Sequence, residues 1–260
     1  MLVDISPPRT KREIVLERAR QLVKSAGITK PPVDIEKLAH FLGVQRIVQV
    51  DFARTDACLL PGRNGHTILV KETSSQRRRR FSIAHELGHI LLGASSIKLR
   101  GHILDKSNDK LNKEEQLCNQ IAAELLMPEP LFRQEIIGKE PCIATIEELA
   151  SKFQTAIEPT AIRYAGSDGN GVGIVYWEHY RDFLKSKWIA GKRHLCGETS
   201  RSLSDMTCGP IQAYYSEGEL THSYESFRND SSLNLTCESR AYETGAFKFV
   251  LSLFREEKLG

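Results

Sequence analysis

"RRFSIAHELGHILLG", residues 79–93, decides how the rest of the chain is read. His85 and His89 stand four apart, and Glu86 follows the first of them. In a helix, positions i and i+4 share a face one turn apart, so both imidazoles can reach one ion at roughly 2.0–2.1 Å each. Glu86, one position round the helix, is placed to serve as general base beside that ion. Phe81, Ile83, Ala84, Leu87, Ile90, Leu91 and Leu92 surround the triplet and suit a helix buried in a core, with Gly93 as its C-terminal stop. Two imidazoles and a carboxylate in apolar surroundings need partners, and a metal ion supplies them.

A catalytic zinc site usually takes three protein ligands. No third histidine follows at short spacing; His102 is the nearest, in the polar, irregular stretch 94–111. A helix is expected from about Lys113 to Leu126, stopping before Pro128. On it Glu115 and Asn119 share a face, and Ala122 and Ala123 are small enough to let two helices approach closely. Glu115 has a second reading. With Asn112 as cap it falls at the third helical position and completes a capping box. Glu114 is its neighbour if the register differs, and Glu124 falls on the opposite side of the helix.

Outward from this pair, residues 10–26 carry apolar positions at helical spacing, closed by Gly27. Residues 34–42 read as a second helix, with Asp34 as N-cap and Gly43 as stop. "VQRIVQV" alternates like a strand, and "ACLL", "PGRNG" and "HTILV" form a hairpin. Short helices are expected near 129–137, 145–153 and 158–165. After "GSDGNG" (166–171) the texture changes: "VGIVYW", "IQAYY", "LNLTC" and "FKFVLSLF" read as strands. The expected fold class is therefore α+β, with a mainly helical domain over 1–165 and a β-rich domain of open role over 166–260.

The bulk properties exclude several classes. The 260 residues are 40% hydrophobic and 27% charged, with a net charge of +3, so no global charge argues for a nucleic-acid or membrane partner. Arg77–Arg80 reads as a solvated helix flank. No run approaches a membrane span and no signal-peptide core opens the chain. Six scattered cysteines without a CxxC read as reduced thiols, so a cytoplasmic protein is expected. Cys58 reads as a buried structural cysteine, with an inhibitory thiolate as the alternative.

"RRFSIAHELGHILLG" followed by Glu115, Cys118, Asn119, Ile121, Ala122, Leu125, Leu126, Met127 and Pro128 resembles the ImmA/IrrE family of bacterial zinc metallopeptidases over roughly residues 10–165. Cys118 stands where that family usually has alanine, and Ile121 where it usually has phenylalanine. The resemblance implies a zincin-like domain with zinc held by His85, His89 and Glu115, and Glu86 as catalytic base. It also implies a protein substrate, commonly a helix-turn-helix repressor whose cleavage induces a stress-response or mobile-element programme. The competing reading is a metal-bound module that sequesters a DNA-binding regulator without cutting it; an intact Glu86 argues against that. Direct DNA binding is not expected. "VDIEKLAHFLGV" and residues 145–165 have helix-turn-helix character, but Pro159 and the near-neutral charge weaken it.

Overall fold

The computed structural model describes residues 10–52, 55–93, 109–167, 171–196, 200–204, 206, 208–227, 230–244 and 247–256. His102 and most of the 94–111 stretch lie outside them. The chain divides into two units, Met1–Glu135 with Ser151–Ala156, and Ile136–Ala150 with Ile157–Gly260.

In the first unit, α1 (Lys11–Ser25) starts on a capping box: the Thr10 hydroxyl accepts from the Glu13 N–H, and the Glu13 carboxylate accepts from the Thr10 N–H. Its apolar stripe buries Val15, Leu16, Ala19 and Val23. Helix α2 (Ile35–Phe41) is capped by Asp34, which accepts from the Lys37 N–H at 2.9 Å. Three strands follow, β1 (Val44–Val50), β2 (Ala57–Gly62) and β3 (Gly65–Lys71). Their order is β1-β3-β2, with β3 parallel to β1 and antiparallel to β2, so β2 is an edge. Then come α3 (Gln76–Leu91), capped by Ser75, α4 (Asp109–Leu126) and α5 (Glu129–Ile136).

Two features fix α3 and α4. Gly88 sits where they cross. A Cβ there would lie 3.1 Å from the Cys118 Cα and 3.2 Å from its carbonyl oxygen, so only glycine lets the backbones come this close. On α4, Glu124 is 1% exposed, accepts from Arg20 Nε on α1 at 2.9 Å, and accepts from the Glu129 N–H that begins α5. It thus faces away from Glu115, as its spacing predicts. The arginine run is more than a solvated flank. Arg78 pairs with Asp56, Arg79 donates to Gln49 Oε1, and Arg80 donates to the Val33 carbonyl, so three of the four tie the start of α3 to its surroundings.

The second unit carries a six-stranded sheet in the order β6-β5-β4-β9-β8-β7. The strands are β4 (Val172–Tyr180), β5 (Phe183–Gly191), β6 (Ser200–Ser202), β7 (Thr221–Phe227), β8 (Asp230–Thr244) and β9 (Phe247–Glu256). Val175, Trp177, Leu184, Leu235, Val250 and Phe254 pack with Leu195 of a 3₁₀ turn and Ile211 of a helix, α8 (Gly209–Tyr215). That helix replaces the strand expected at "IQAYY". Pro210 presets a helical φ in the first turn, where a missing N–H costs nothing, and the N–H groups of Ile211 and Gln212 both reach the Cys208 carbonyl.

Helices α6 (Ile143–Phe153) and α7 (Ile157–Ala165) bear on the boundary expected at residue 165. Residues 143–150 of α6 and all of α7 group with the sheet instead. Polar contacts hold them there. The Ile143 N–H donates to buried Glu238, Glu147 accepts from Arg240 Nη1 and the Tyr242 hydroxyl, and Trp188 Nε1 donates to Glu158. No described helix is long and apolar enough to cross a membrane.

Candidate metal centre

His85 and His89 lie one turn apart on α3, with ring centroids 5.1 Å apart in an edge-on arrangement. Both turn Nε2 toward Glu115 of α4. His85 Nε2 is 3.1 Å from Glu115 Oε2, and His89 Nε2 is 3.7 Å from Glu115 Oε1. Tetrahedral ligands at about 2.0–2.2 Å from one ion stand roughly 3.3–3.6 Å apart, and the two separations bracket that range. The structure thus brings together His85, His89 and Glu115, with Glu86 beside them.

The other ring nitrogens are backed by the same helix. His85 Nδ1 is 2.9 Å from Asn119 Oδ1. An amide oxygen only accepts, so the proton sits on Nδ1 and the neutral ring turns a lone pair at a carboxylate oxygen. Two acceptors at 3.1 Å require a cation or a proton between them, and this donor set fits a divalent ion. Without one, burial disfavours the charged imidazole, yet the hydrogen bond to Glu115 and the charges of Glu86 and Glu115 outweigh it and hold the His85 pKa above its ordinary value.

Glu86 is 9% exposed, on the side of α3 next to β2. Burial pushes its carboxyl up to about 7; the His85 charge and a hydrogen bond from the Leu59 backbone pull the other way, and Glu115 adds to the rise. A carboxyl poised there both takes and returns a proton near neutral pH.

Residues 109–112 are helical, so α4 starts before Asn112, and Glu115 is its seventh residue rather than its third. The capping-box reading of Glu115 is therefore overturned. Glu114 stands 3.8 Å from His89 Nδ1, on the outer side of the ring.

Cys118, which the sequence shows only as a replacement for the family's usual alanine, also stands at the site. Together with His85 and His89 it makes a cluster of donors within 4.8 Å of one another. Its Sγ, however, touches His89 Nδ1 at 3.4 Å, the nitrogen turned away from Glu115. Burial, followed by the charges of Glu115 and Glu114, pushes this thiol above its ordinary pKa in the metal-free protein. The geometry favours Glu115 as third donor. The signal available in the sequence was spacing alone: Cys118 lies three residues from Glu115, on the same helix face. Cys58 is buried, and burial and then the Glu86 charge raise its pKa, so it is a neutral thiol.

An HExxH helix crossed by an E-x-x-C-N helix on an α+β scaffold defines a metallopeptidase-type domain. The chain belongs to the Peptidase_M78 family, whose IrrE N-terminal-like domain profile matches residues 32–164. The radiation response metalloprotease IrrE of Deinococcus deserti is 28% identical over 176 residues, 67% of this chain and 61% of the relative. Its namesake in Deinococcus radiodurans is 30% identical over 112 residues, 43% of this chain and 34% of the relative. The chain thus spans about 61% of the length of the first of these relatives. A Mycobacterium tuberculosis transcriptional regulator shares the fold with a TM-score of 0.65 at 14% identity, over 94% of this chain and 76% of its own.

Proposed function

We propose that this protein is a zinc-dependent regulatory endopeptidase of the cytoplasm, which cuts a helix-turn-helix (XRE-type) repressor and so induces a stress-response or mobile-element programme. His85, His89 and Glu115 hold the ion, and Glu86 is the catalytic base. The observation that carries the reading is the convergence of His85 Nε2, His89 Nε2 and both Glu115 oxygens at one point beside a buried carboxyl. Likeness to metalloproteases named for a radiation response supports the regulatory part.

A divalent ion held there supplies Lewis acidity toward a peptide carbonyl. The rest falls to side chains of this chain. Glu86 takes a proton from the attacking water on a carboxylate oxygen and passes it to the departing amine. The Leu59 N–H orients that carboxylate. Asn119 fixes His85 in the tautomer that leaves Nε2 free. The outer edge of β2, which runs past Glu86, receives an extended substrate segment as an added strand.

The test is co-expression with helix-turn-helix repressors encoded nearby, followed by mass mapping of the products. A discrete cut that disappears with chelator and in Glu86→Gln supports the reading. A stable, uncut complex with the zinc-loaded wild type overturns it in favour of a sequestering module.

A further inference from the structure

We propose that Cys118 is a positioning residue that sets the tautomer of His89, accepting a hydrogen bond from Nδ1–H and so leaving Nε2 free to bind. The inference rests on the reading of His89 as a ligand and adds a residue that the reading does not use.

A histidine that binds through Nε2 must carry its proton on Nδ1, and that N–H needs an acceptor to fix the ring. His85 has Asn119 Oδ1 for this purpose at 2.9 Å. Around His89 Nδ1, Cys118 Sγ stands at 3.4 Å and Glu114 Oε1 at 3.8 Å. The first is within hydrogen-bonding range for sulfur. Cys118 is fully buried, so water does not compete at the sulfur. A neutral thiol keeps lone pairs to accept with.

The contact is built by the helix crossing. Gly88, the residue before His89, is the point where α3 meets the backbone of Cys118, so closely that even a methyl group there would have to push the helices a few tenths of an ångström apart. That approach carries the sulfur to the ring. A methyl group at 118, the usual side chain in the family this chain resembles, has no lone pair to offer. The device thus follows from this chain's own cysteine. Consecutive residues of α4, Cys118 and Asn119, then orient the two imidazoles that Glu115 faces.

The experiment uses full-length protein with ¹⁵N-labelled histidine, metal-free, at a pH where the imidazoles are neutral. Long-range ¹H–¹⁵N correlation reads which nitrogen of His89 is protonated. Wild type and Cys118→Ser are expected to show Nδ1–H, because the serine hydroxyl also accepts. Cys118→Ala and the bulkier, equally apolar Cys118→Val are expected to move toward Nε2–H, with His85 unchanged as internal control. Zinc affinity should fall about 10-fold or more in those two variants and hold in Cys118→Ser.

An unmoved His89 tautomer in both Cys118→Ala and Cys118→Val overturns the proposal. A sulfur-to-metal charge-transfer band in the cobalt-loaded wild type also overturns it, by making Cys118 a ligand. Failure of the underlying reading looks different: His89→Ala then keeps wild-type zinc affinity, while the tautomer of metal-free His89 still responds to Cys118.

Discussion

His85 Nε2 lies 3.1 Å from Glu115 Oε2, and the two residues come from different helices. That contact separates a ligand from a cap. A cap residue returns a hydrogen bond to a backbone N–H at the helix start, and Glu115 stands too far into α4 to do so. Glu115→Gln is therefore expected to weaken zinc binding by more than the roughly 10–100-fold typical of groups that only support a ligand. Glu114→Gln, one residue away, should change it little. Zinc retained after dialysis against a weak chelator is the measurement. Equal retention in the two variants would sink the assignment.

Glu86 presents a different balance. It lies near His85 without contributing to the convergence on Glu115, so Glu86→Gln should keep zinc and fold. The same change removes the proton carrier. Cleavage is expected to drop by about 10²–10⁴-fold. Substantial residual proteolysis in a clean preparation counts against Glu86 as the base.

The metal-free protein should lose stability as pH rises. The folded Glu86 pKa of about 7 lies above its ordinary 4.5, so the folded state binds more protons than the unfolded state across that window. Stability is lost as pH climbs through it, by roughly 3 kcal/mol from this group. His85 adds the same sign: its raised pKa contributes stability that is full below its ordinary 6.5 and is lost as pH passes the folded value. The metal-free melting temperature should therefore fall between pH 5 and pH 8, and Glu86→Gln should flatten much of that fall. Saturating zinc should oppose it, with the larger gain at the higher pH, where no proton must leave the imidazoles. A metal-free melt that is flat or rises over this range would contradict both carboxyl burial and imidazole pairing.

The parts of this picture that the sequence makes legible are local. The i, i+4 spacing of His85 and His89 places them on one face without further knowledge, and Thr10, Asp34, Gly27 and Gly43 mark helix ends by their own chemistry. What escapes is non-local or ambiguous in period. "DKLN" before Lys113 looks polar and irregular, yet it is the first turn of α4, and that turn removes the capping role of Glu115. "IQAYY" alternates like a strand, but Pro210 and the Cys208 carbonyl start a helix there. "FLKSKWIAG" carries no clear strand signal, because its apolar positions break alternation; it nonetheless pairs with β4 around an irregularity at Tyr176–Trp177. The Cys118–His89 contact depends on where two helices cross, which no spacing within either helix states.

That crossing yields the last prediction. Gly88 lies on the α3 face that meets Cys118, and a Cβ there would stand 3.1–3.3 Å from Cys118 Cα, O and Cβ. Backbone atoms of a packed helix cannot swing aside as a side-chain tip can, so Gly88→Ala must spread α3 from α4 by a few tenths of an ångström. Alanine in a helix gains about 1 kcal/mol over glycine, while overpacking costs about 1–3 kcal/mol, so the net loss of fold stability should be small. The metal site should suffer more, because His85 and His89 sit on α3 and Glu115 on α4, and ligand separations of 3.1 and 3.7 Å leave little slack. Zinc affinity in Gly88→Ala is expected to fall by about 10-fold or more while the metal-free melt shifts by only a few degrees. Ala84→Gly, a change on the same helix at a buried position, supplies the control: it should lower the melt by removing a packed methyl group and a helix former, yet leave the ligand separations intact. If Gly88→Ala loses stability and zinc in the same proportion as Ala84→Gly, the crossing is ordinary packing and does not set the distance between the ligands.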